Sequence, residues 1–395
     1  MRILFTTWAW TTHFYPMVPL AWAARVAGHD VRFAAPPDLV PSIVASGLPA
    51  VTAGDDFDIV GDFQDRIVTV MDYENDHTRG EAELAERHAA RGRAVLEHYT
   101  AITAAMAPGL LAYARGWRPD AVVYDPLAWA GVLVADDLGV PAVRSLFGPD
   151  LSAAIRPEHS DVLDPLVESL GLDRPESTLG DLTVDPCPPY VQIDAPVRRQ
   201  HIRFVPYNAL PVVPPAAHEP GRSGRPRVCL TWGTTTDRMV GETAFLPPNV
   251  LEAVLALDAE LVIAIAARQE HLLPDLPPEV TVAKSVPLDV LLPTCDLVVQ
   301  RGGSGTSHTA ALYGVPQLIL PLMPDTLLTA RTFCSSGAGA FLRPDEADAE
   351  TIREHAARIL APDSSFRRQA RALADDMDRL PRMPEAVRAL EELAA

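Results

Sequence analysis

The stretch from Asp296 to Pro321 constrains this chain more than any other. It reads Asp296-Leu-Val-Val-Gln-Arg-Gly-Gly-Ser-Gly-Thr306, then Ser307-His-Thr-Ala-Ala-Leu-Tyr-Gly314, then Val315-Pro-Gln-Leu-Ile-Leu-Pro321. A short apolar strand at Leu297 to Val299, a glycine-rich turn, a helix beginning near Gly305 and a second strand at Val315 to Leu320 make one βαβ unit. Apolar runs on both sides of a small-residue helix suit a parallel sheet covered on both faces. The turn then falls at the carboxyl edge of that sheet, where open α/β folds bind ligands. Gly302, Gly303 and Gly305 let the backbone approach a bound group, and the unpaired N–H groups of a helix start attract an anion, so the turn is a candidate phosphate site. The plain alternative is a strand-to-helix turn with no ligand. The spacing is neither Gly-x-Gly-x-x-Gly nor a Gly-Lys-Ser/Thr loop, and the chain's only lysine is the distant Lys284. Both facts disfavour a nucleotide dehydrogenase or a kinase.

Earlier in the chain the same rhythm predicts a second parallel sheet with right-handed crossovers. A strand at Arg2 to Thr7 is followed by a loop from Trp8 to Tyr15, a helix at Met17 to Ala27 closed by Gly28, a strand at Val31 to Ala34 and a helix at Pro37 to Ser46 stopped by Gly47. A long helix from about Glu81 to Arg115 leads to a strand ending at Asp125, then a helix at Leu127 to Asp137 and a strand at Val140 to Leu146. His13 and Asp125 therefore both fall at strand ends on one edge of the sheet. A carboxylate there holds an imidazole in one tautomer and stabilises its protonated form, the arrangement of a base and its orienter. A structural histidine, and an N-cap role for Asp125, are the alternatives. The acidic stretch 55–80, with Asp56-Phe-Asp58, reads as a solvated loop rather than a metal site. Residues 148–200 lose the alternation and read as an insertion that shapes a pocket.

Six prolines between Val205 and Arg227, with Gly221, Ser223 and Gly224, mark a linker. Beyond it the rhythm restarts with strands at Val228 to Trp232, Leu261 to Ala266 and Val280 to Val282, and helices at Pro248 to Leu257 and Leu288 to Pro293. The turn after Val228 to Trp232 carries Thr234, whose hydroxyl is placed to join the phosphate site.

The 395 residues suffice for two domains, each with its own core. Apolar runs such as Leu261 to Ala267 are too short to cross a bilayer, and the chain opens on a strand pattern rather than a signal peptide, so a cytoplasmic protein is expected. Cys187, Cys229, Cys295 and Cys334 lack zinc or disulfide spacing and are expected to be buried, reduced thiols. The formal charge of −19 argues against nucleic acid or an anionic membrane as partner.

In their order along the whole chain, several of these features resemble the GT-B glycosyltransferases, in particular the bacterial natural-product branch that attaches deoxysugars to polyketide and related aglycones. They are the opening Arg2-Ile-Leu-Phe with His13, Asp185-Pro-Cys-Pro-Pro189, Val205-Pro-Tyr-Asn208, Ser285-Val-Pro-Leu288, the Gly302 to Thr306 turn, Gly314-Val-Pro-Gln-Leu-Ile-Leu-Pro321, Asp325 and Gly337-Ala-Gly339. The resemblance implies an α/β GT-B fold, two Rossmann-like domains facing across a cleft. It divides the chain into an acceptor-binding domain at 1–210, a Pro-rich linker at 211–226, a nucleotide-sugar-binding domain at 227–375 and a C-terminal helix at 376–395 packing back on the first domain.

The resemblance also implies roles. His13 is the base that takes a proton from the acceptor hydroxyl, with Asp125 its partner. Thr234, Gln300, Arg301, Gly302, Gly303, Ser304, Gly305 and Thr306 hold the donor diphosphate. Val286 and Leu288 meet the nucleobase, Asp325 and Thr326 the sugar. The apolar loop residues Trp8, Trp10 and Phe14 favour an acceptor pocket. Two departures stand out: Gln300-Arg301 replaces the one or two histidines the family usually has, and Asp325-Thr326 replaces a frequent Asp-Gln. The implied activity is inverting transfer of a deoxysugar from a dTDP-sugar to a hydrophobic aglycone, with no metal or other cofactor. A non-catalytic aglycone-binding or auxiliary protein, and a nucleotide-sugar epimerase of the same fold, are the alternatives. A homodimer and a need for an auxiliary partner protein both stay open.

Overall fold

The computed structural model describes residues 1–70, 81–209, 213 and 224–395. The acidic residues 72–76 and most of the expected linker 211–226 lie outside the described residues. The chain forms two compact units. Unit 1 comprises Met1–Pro186, Asp194–Ala209 and Pro381–Ala395; unit 2 comprises Cys187–Ile193 and Leu210–Leu380. Among the described residues no helix is long and apolar enough to cross a membrane.

Unit 1 contains a parallel sheet of β1 (Arg2–Thr6), β2 (Asp30–Ala35), β3 (Ala50–Thr52), β4 (Ala121–Tyr124), β5 (Ala142–Ser145), β6 (Leu182–Asp185) and β7 (Arg199–His201). Their order is β3-β2-β1-β4-β5-β6-β7. β1 and β4 are neighbours with Phe5 opposite Val123 and Thr6 opposite Tyr124. The strands are apolar on both faces because helices cover both: Ile3, Phe5, Val31, Phe33 and Val123 share one core with Val387 and Leu390 of the last helix, Met383–Leu393. Each such side chain contributes about 1.5 to 3 kcal/mol by leaving water. The expected single helix at 376–395 is two elements: Ser365–Arg379, which belongs to unit 2, and Met383–Leu393. Pro381 separates them, since it has no N–H and pushes Leu380 to an extended backbone.

Sequence reading missed β6 and β7. β7 is three polar residues with no apolar alternation, and ion pairs rather than a hydrophobic face accompany its pairing. Arg199 bridges Asp185 and Asp150, each at 2.9 Å, and the fully buried Arg144 meets Asp150 at 2.7 Å. The expected acidic loop also contains a helix, Ile59–Arg66, which Asp58 caps by accepting the Gly61 N–H at 2.9 Å.

Unit 2 has β8 (Arg227–Thr231), β9 (Glu260–Ile265), β10 (Thr281–Lys284), β11 (Leu297–Gln300), β12 (Gln317–Ile319) and β13 (Gly339–Phe341) in the order β10-β9-β8-β11-β12-β13. Every pairing is parallel. Val228, Leu230, Ile263, Leu297, Val299 and Leu318 supply its core. The segment Cys187–Ile193, although it directly follows β6 and Pro186, is held in unit 2. Cys187 Sγ lies 3.3 Å from His308 Nε2, and the Tyr190 hydroxyl donates to Asp376 at 3.0 Å. Of the four thiols, none of them in a disulfide, Cys187 and Cys229 are buried whereas Cys295 and Cys334 are partly exposed.

In both sheets the strand order reverses once. The chain runs outward from β1 through β2 to β3, then returns to place β4 on the other side of β1; β8 and β11 repeat this in unit 2. In open α/β sheets the ligand crevice lies beyond the carboxyl ends of the strands at this switch point.

Candidate active site

At the switch point of unit 1 the first residue after β4 is Asp125, and His13 stands in a single helical turn, Thr11–Phe14, that follows β1. The expected open loop is thus partly helical, because the His13 and Phe14 N–H groups both bond to the Trp10 carbonyl at 3.1 Å. His13 Nδ1 lies 2.8 Å from Asp125 Oδ2. The other carboxylate oxygen accepts the Leu127 N–H at 2.9 Å, and the Asp125 N–H donates to the Thr6 carbonyl at 3.1 Å. Asp125 thus contacts His13 and closes a turn, but it is not the expected helix N-cap, since the helix begins at Ala130 with Trp129 at its N-cap. With Nδ1–H donating to the carboxylate, Nε2 carries the lone pair and is able to accept a proton. Asp125 is buried at 1% exposure whereas the His13 side chain retains 13%.

Aromatic rings surround this pair. Trp8 lies 4.6 Å from the His13 ring and stacks on Trp10 at 5.6 Å, and Phe147 meets the imidazole edge-on at 4.3 Å. Tyr99 packs against Trp8 at 5.9 Å. Neither Phe147 nor Tyr99 was singled out from the sequence. Phe147 follows closely after β5 and was legible from that position, whereas Tyr99 lies inside the helix Glu81–Trp117 with no local signal.

At the switch point of unit 2, β11 ends at Gln300 and the helix Ser304–Leu312 begins after Arg301, Gly302 and Gly303. Gly302 has φ +91°, and a Cβ there would stand 2.6 Å from the Thr326 carbonyl, so only glycine fits. Gly303 occupies the N-cap and has no side chain to cap the first turn, which leaves those N–H groups to another acceptor. Ser304 and Thr306 stand in that turn, and the Ser304 hydroxyl lies 3.4 Å from that of Thr329. A Cβ on Gly305 would meet nothing within 4 Å. The Arg301 guanidinium lies over the Trp232 ring at 5.0 Å and donates to the Ala244 carbonyl at 3.3 Å. Burial pulls its pKa down to about 10, opposed by the charge of Asp325. Thr234 is exposed, and its carbonyl accepts from Arg268 at 2.8 Å. Asp325 stands exposed in the first turn of the helix Pro324–Ser335. Val286 and Leu288, just past β10, are half-buried against a small core that includes Leu291 and Ala310.

Residues 22–233 match the N-terminal domain of the erythromycin biosynthesis protein CIII-like family, and residues 248–393 match its C-terminal domain. The chain belongs to this family. It is 35% identical to the 10-deoxymethynolide desosaminyltransferase of Streptomyces venezuelae, over 100% of this chain and 97% of that protein. It is 37% identical to the TDP-daunosamine transferase DnrS of Streptomyces peucetius, again over 100% and 97%. Among solved structures it is similar to the glycosyltransferase VinC in complex with dTDP, with a TM-score of 0.81, 32% identity and coverage of 100% of this chain and 99% of that one. This protein is therefore a GT-B glycosyltransferase of antibiotic biosynthesis, and the non-catalytic and epimerase expectations give way to that assignment.

Three expected contact residues of this glycosyltransferase have other work in the fold. Phe14, expected to line the acceptor pocket, is wholly buried in the core and meets Phe33 at 4.9 Å. Neighbouring helical residues diverge by about 100°, so its side chain leaves the face that carries His13. Gln300, expected at the diphosphate, is 1% exposed and saturated: Nε2 donates to Ser307 Oγ and Gln317 Oε1, both at 2.8 Å, while Oε1 accepts the Gly302 N–H at 2.9 Å. It braces the turn from behind. Thr326, expected at the sugar, spends its hydroxyl on the helix start, accepting the Met323 N–H at 2.9 Å and donating to the Met323 carbonyl at 2.8 Å. Trp8 and Trp10 are also almost fully buried and act on the site through ring packing beside His13.

Proposed function

We propose that this glycosyltransferase moves a deoxysugar, with inversion, from a dTDP-sugar to a hydroxyl of a hydrophobic polyketide-type aglycone. The observation that carries the reading is the His13–Asp125 pair at the switch point of unit 1. The names of the relatives, a desosaminyltransferase and a TDP-daunosamine transferase, support the donor class. His13 Nε2 takes the acceptor's proton while the acceptor oxygen bonds to the anomeric carbon. The bond from that carbon to the diphosphate breaks, and its electron pair goes to the diphosphate oxygen. Asp125 stabilises the imidazolium that forms. The first turn of the Ser304–Leu312 helix, with Arg301, balances the charge on the leaving group, a role that elsewhere falls to a metal. We therefore read the reaction as metal-independent.

Ser304, Thr306 and Thr234 supply hydroxyls to the diphosphate in this reading, Asp325 accepts from sugar hydroxyls, and Val286 and Leu288 border the nucleobase. A cytoplasmic location belongs to the same proposal and is supported by four cysteines in the thiol form. All these residues lie on one chain, so neither a second copy nor an auxiliary protein is invoked. A screen of dTDP-deoxysugars against a panel of polyketide aglycones, read by mass spectrometry on the purified chain, tests the proposal. Donor-dependent glycoside is expected; donor hydrolysis or epimerisation without glycoside overturns it.

A further inference from the structure

Each of the two residues that directly follow the switch-point strands of unit 2 is large, and the two are in contact. Trp232 follows β8 and Arg301 follows β11. The guanidinium lies 5.0 Å above the indole, a cation–π arrangement. Both side chains also donate to one acceptor, the Ala244 carbonyl, Trp232 Nε1 at 3.0 Å and Arg301 Nη1 at 3.3 Å. One face and one edge of the guanidinium are thereby fixed.

Arg301 is only 7% exposed, and its Nε has no hydrogen-bond partner. Among the described residues no carboxylate comes within ion-pair distance of it. A guanidinium this deeply buried, with an idle donor and only the more distant charge of Asp325 to offset its own, is unfavourable unless an anion completes it. Arg301 follows β11 and stands three residues before the uncapped first turn of Ser304–Leu312, at the edge where the strand order opens a ligand crevice.

We infer that Trp232 is a positioning residue: packed against Arg301 and sharing the Ala244 carbonyl with it, it holds a permanent positive charge at the switch point for the diphosphate of the sugar donor. The inference rests on the proposed function and adds a residue to it. As the carbon–oxygen bond breaks, the electron pair passes to the diphosphate oxygen, and a charge already in place stabilises it with no reorganisation. Unlike a histidine in that position, the guanidinium stays protonated across neutral pH.

A double-mutant cycle tests this, with dTDP and inorganic pyrophosphate as calorimetric probes on the full chain. Arg301→Ala is expected to weaken both ligands about 10- to 100-fold, the range of a charge-assisted hydrogen bond. Trp232→Leu is expected to weaken them about 10-fold in the wild-type background and by less than 2-fold when Arg301 is already alanine, a coupling that a merely structural tryptophan would not show. Trp232→Phe keeps a ring under the guanidinium and is expected to fall between the two, which keeps the test decisive if the leucine variant does not fold. Equal losses from Trp232→Leu or Trp232→Phe in both backgrounds, or unchanged binding in Arg301→Ala, overturn the inference while leaving the proposed function standing. Binding of pyrophosphate but not dTDP by the wild type overturns the proposed donor and retains the anion site. Binding of neither overturns both.

Discussion

His13 Nδ1 and Asp125 Oδ2 lie 2.8 Å apart across 112 residues of sequence. The contact exists because β1 and β4 are adjacent and parallel, so both carboxyl ends open on the same edge. The second carboxylate oxygen is held by the Leu127 N–H at 2.9 Å, so Asp125 approaches the imidazole in one orientation.

Removal of the base has the largest expected effect. His13→Ala should lose about 100- to 10,000-fold in transfer rate, the range of a positioned general base. The proposed dTDP contacts are all in unit 2, so dTDP affinity should stay at the wild-type value. A phenolic acceptor, already acidic, should soften the loss. Near-native turnover of the variant on an aliphatic alcohol acceptor would make His13 structural.

Thr306 stands in the first turn of the helix that follows the glycine turn. Thr306→Val removes a hydroxyl and little volume, and dTDP binding should weaken by about 1 to 2 kcal/mol, as for one hydrogen bond to a charged group. Calorimetry that finds equal affinity takes Thr306 out of the donor site.

If the helix dipole and Arg301 take up the leaving group's charge, as proposed, transfer should be unchanged by EDTA. Abolition by the chelator and recovery with magnesium or manganese would return a metal to the mechanism.

Acid should destabilise unit 2 through His308. Its ring is fully buried, Nδ1 faces the Ser304 carbonyl at 2.8 Å, and burial pulls its pKa from 6.5 to about 4. The neutral ring is the folded form, so its contribution is complete above about pH 6.5 and is lost as pH falls toward 4. The loss is about 3 kcal/mol at its limit, an order-of-magnitude figure. The buried His98 of unit 1 shifts in the same direction, so the decisive quantity is a difference. Urea unfolding at several pH values should show a shallower acid slope for His308→Gln than for wild type; parallel slopes would refute the assignment.

Local chemistry was legible in the sequence wherever a feature needed no distant partner. Continuous apolar runs such as Leu297 to Val299 specify strands covered on both faces, and alternation with helices makes those strands parallel. The Gly302 to Gly305 turn follows from the backbone alone, and so does a histidine placed beyond the end of β1. What the neighbours in space do is not encoded locally. Gln300 is a plausible phosphate ligand by its position in the chain, and only the proximity of Ser307 and Gln317 consumes its amide. Phe14 is one residue from His13 yet belongs to the core, because the turn Thr11–Phe14 sends successive side chains in different directions. The polar strand β7 exists by virtue of Asp150 and Asp185. Sequence patterning determined that this chain builds two parallel sheets with ligand edges; only the tertiary structure decided which side chains face those edges, because a side chain's availability depends on burial and on partners brought in from elsewhere in the chain.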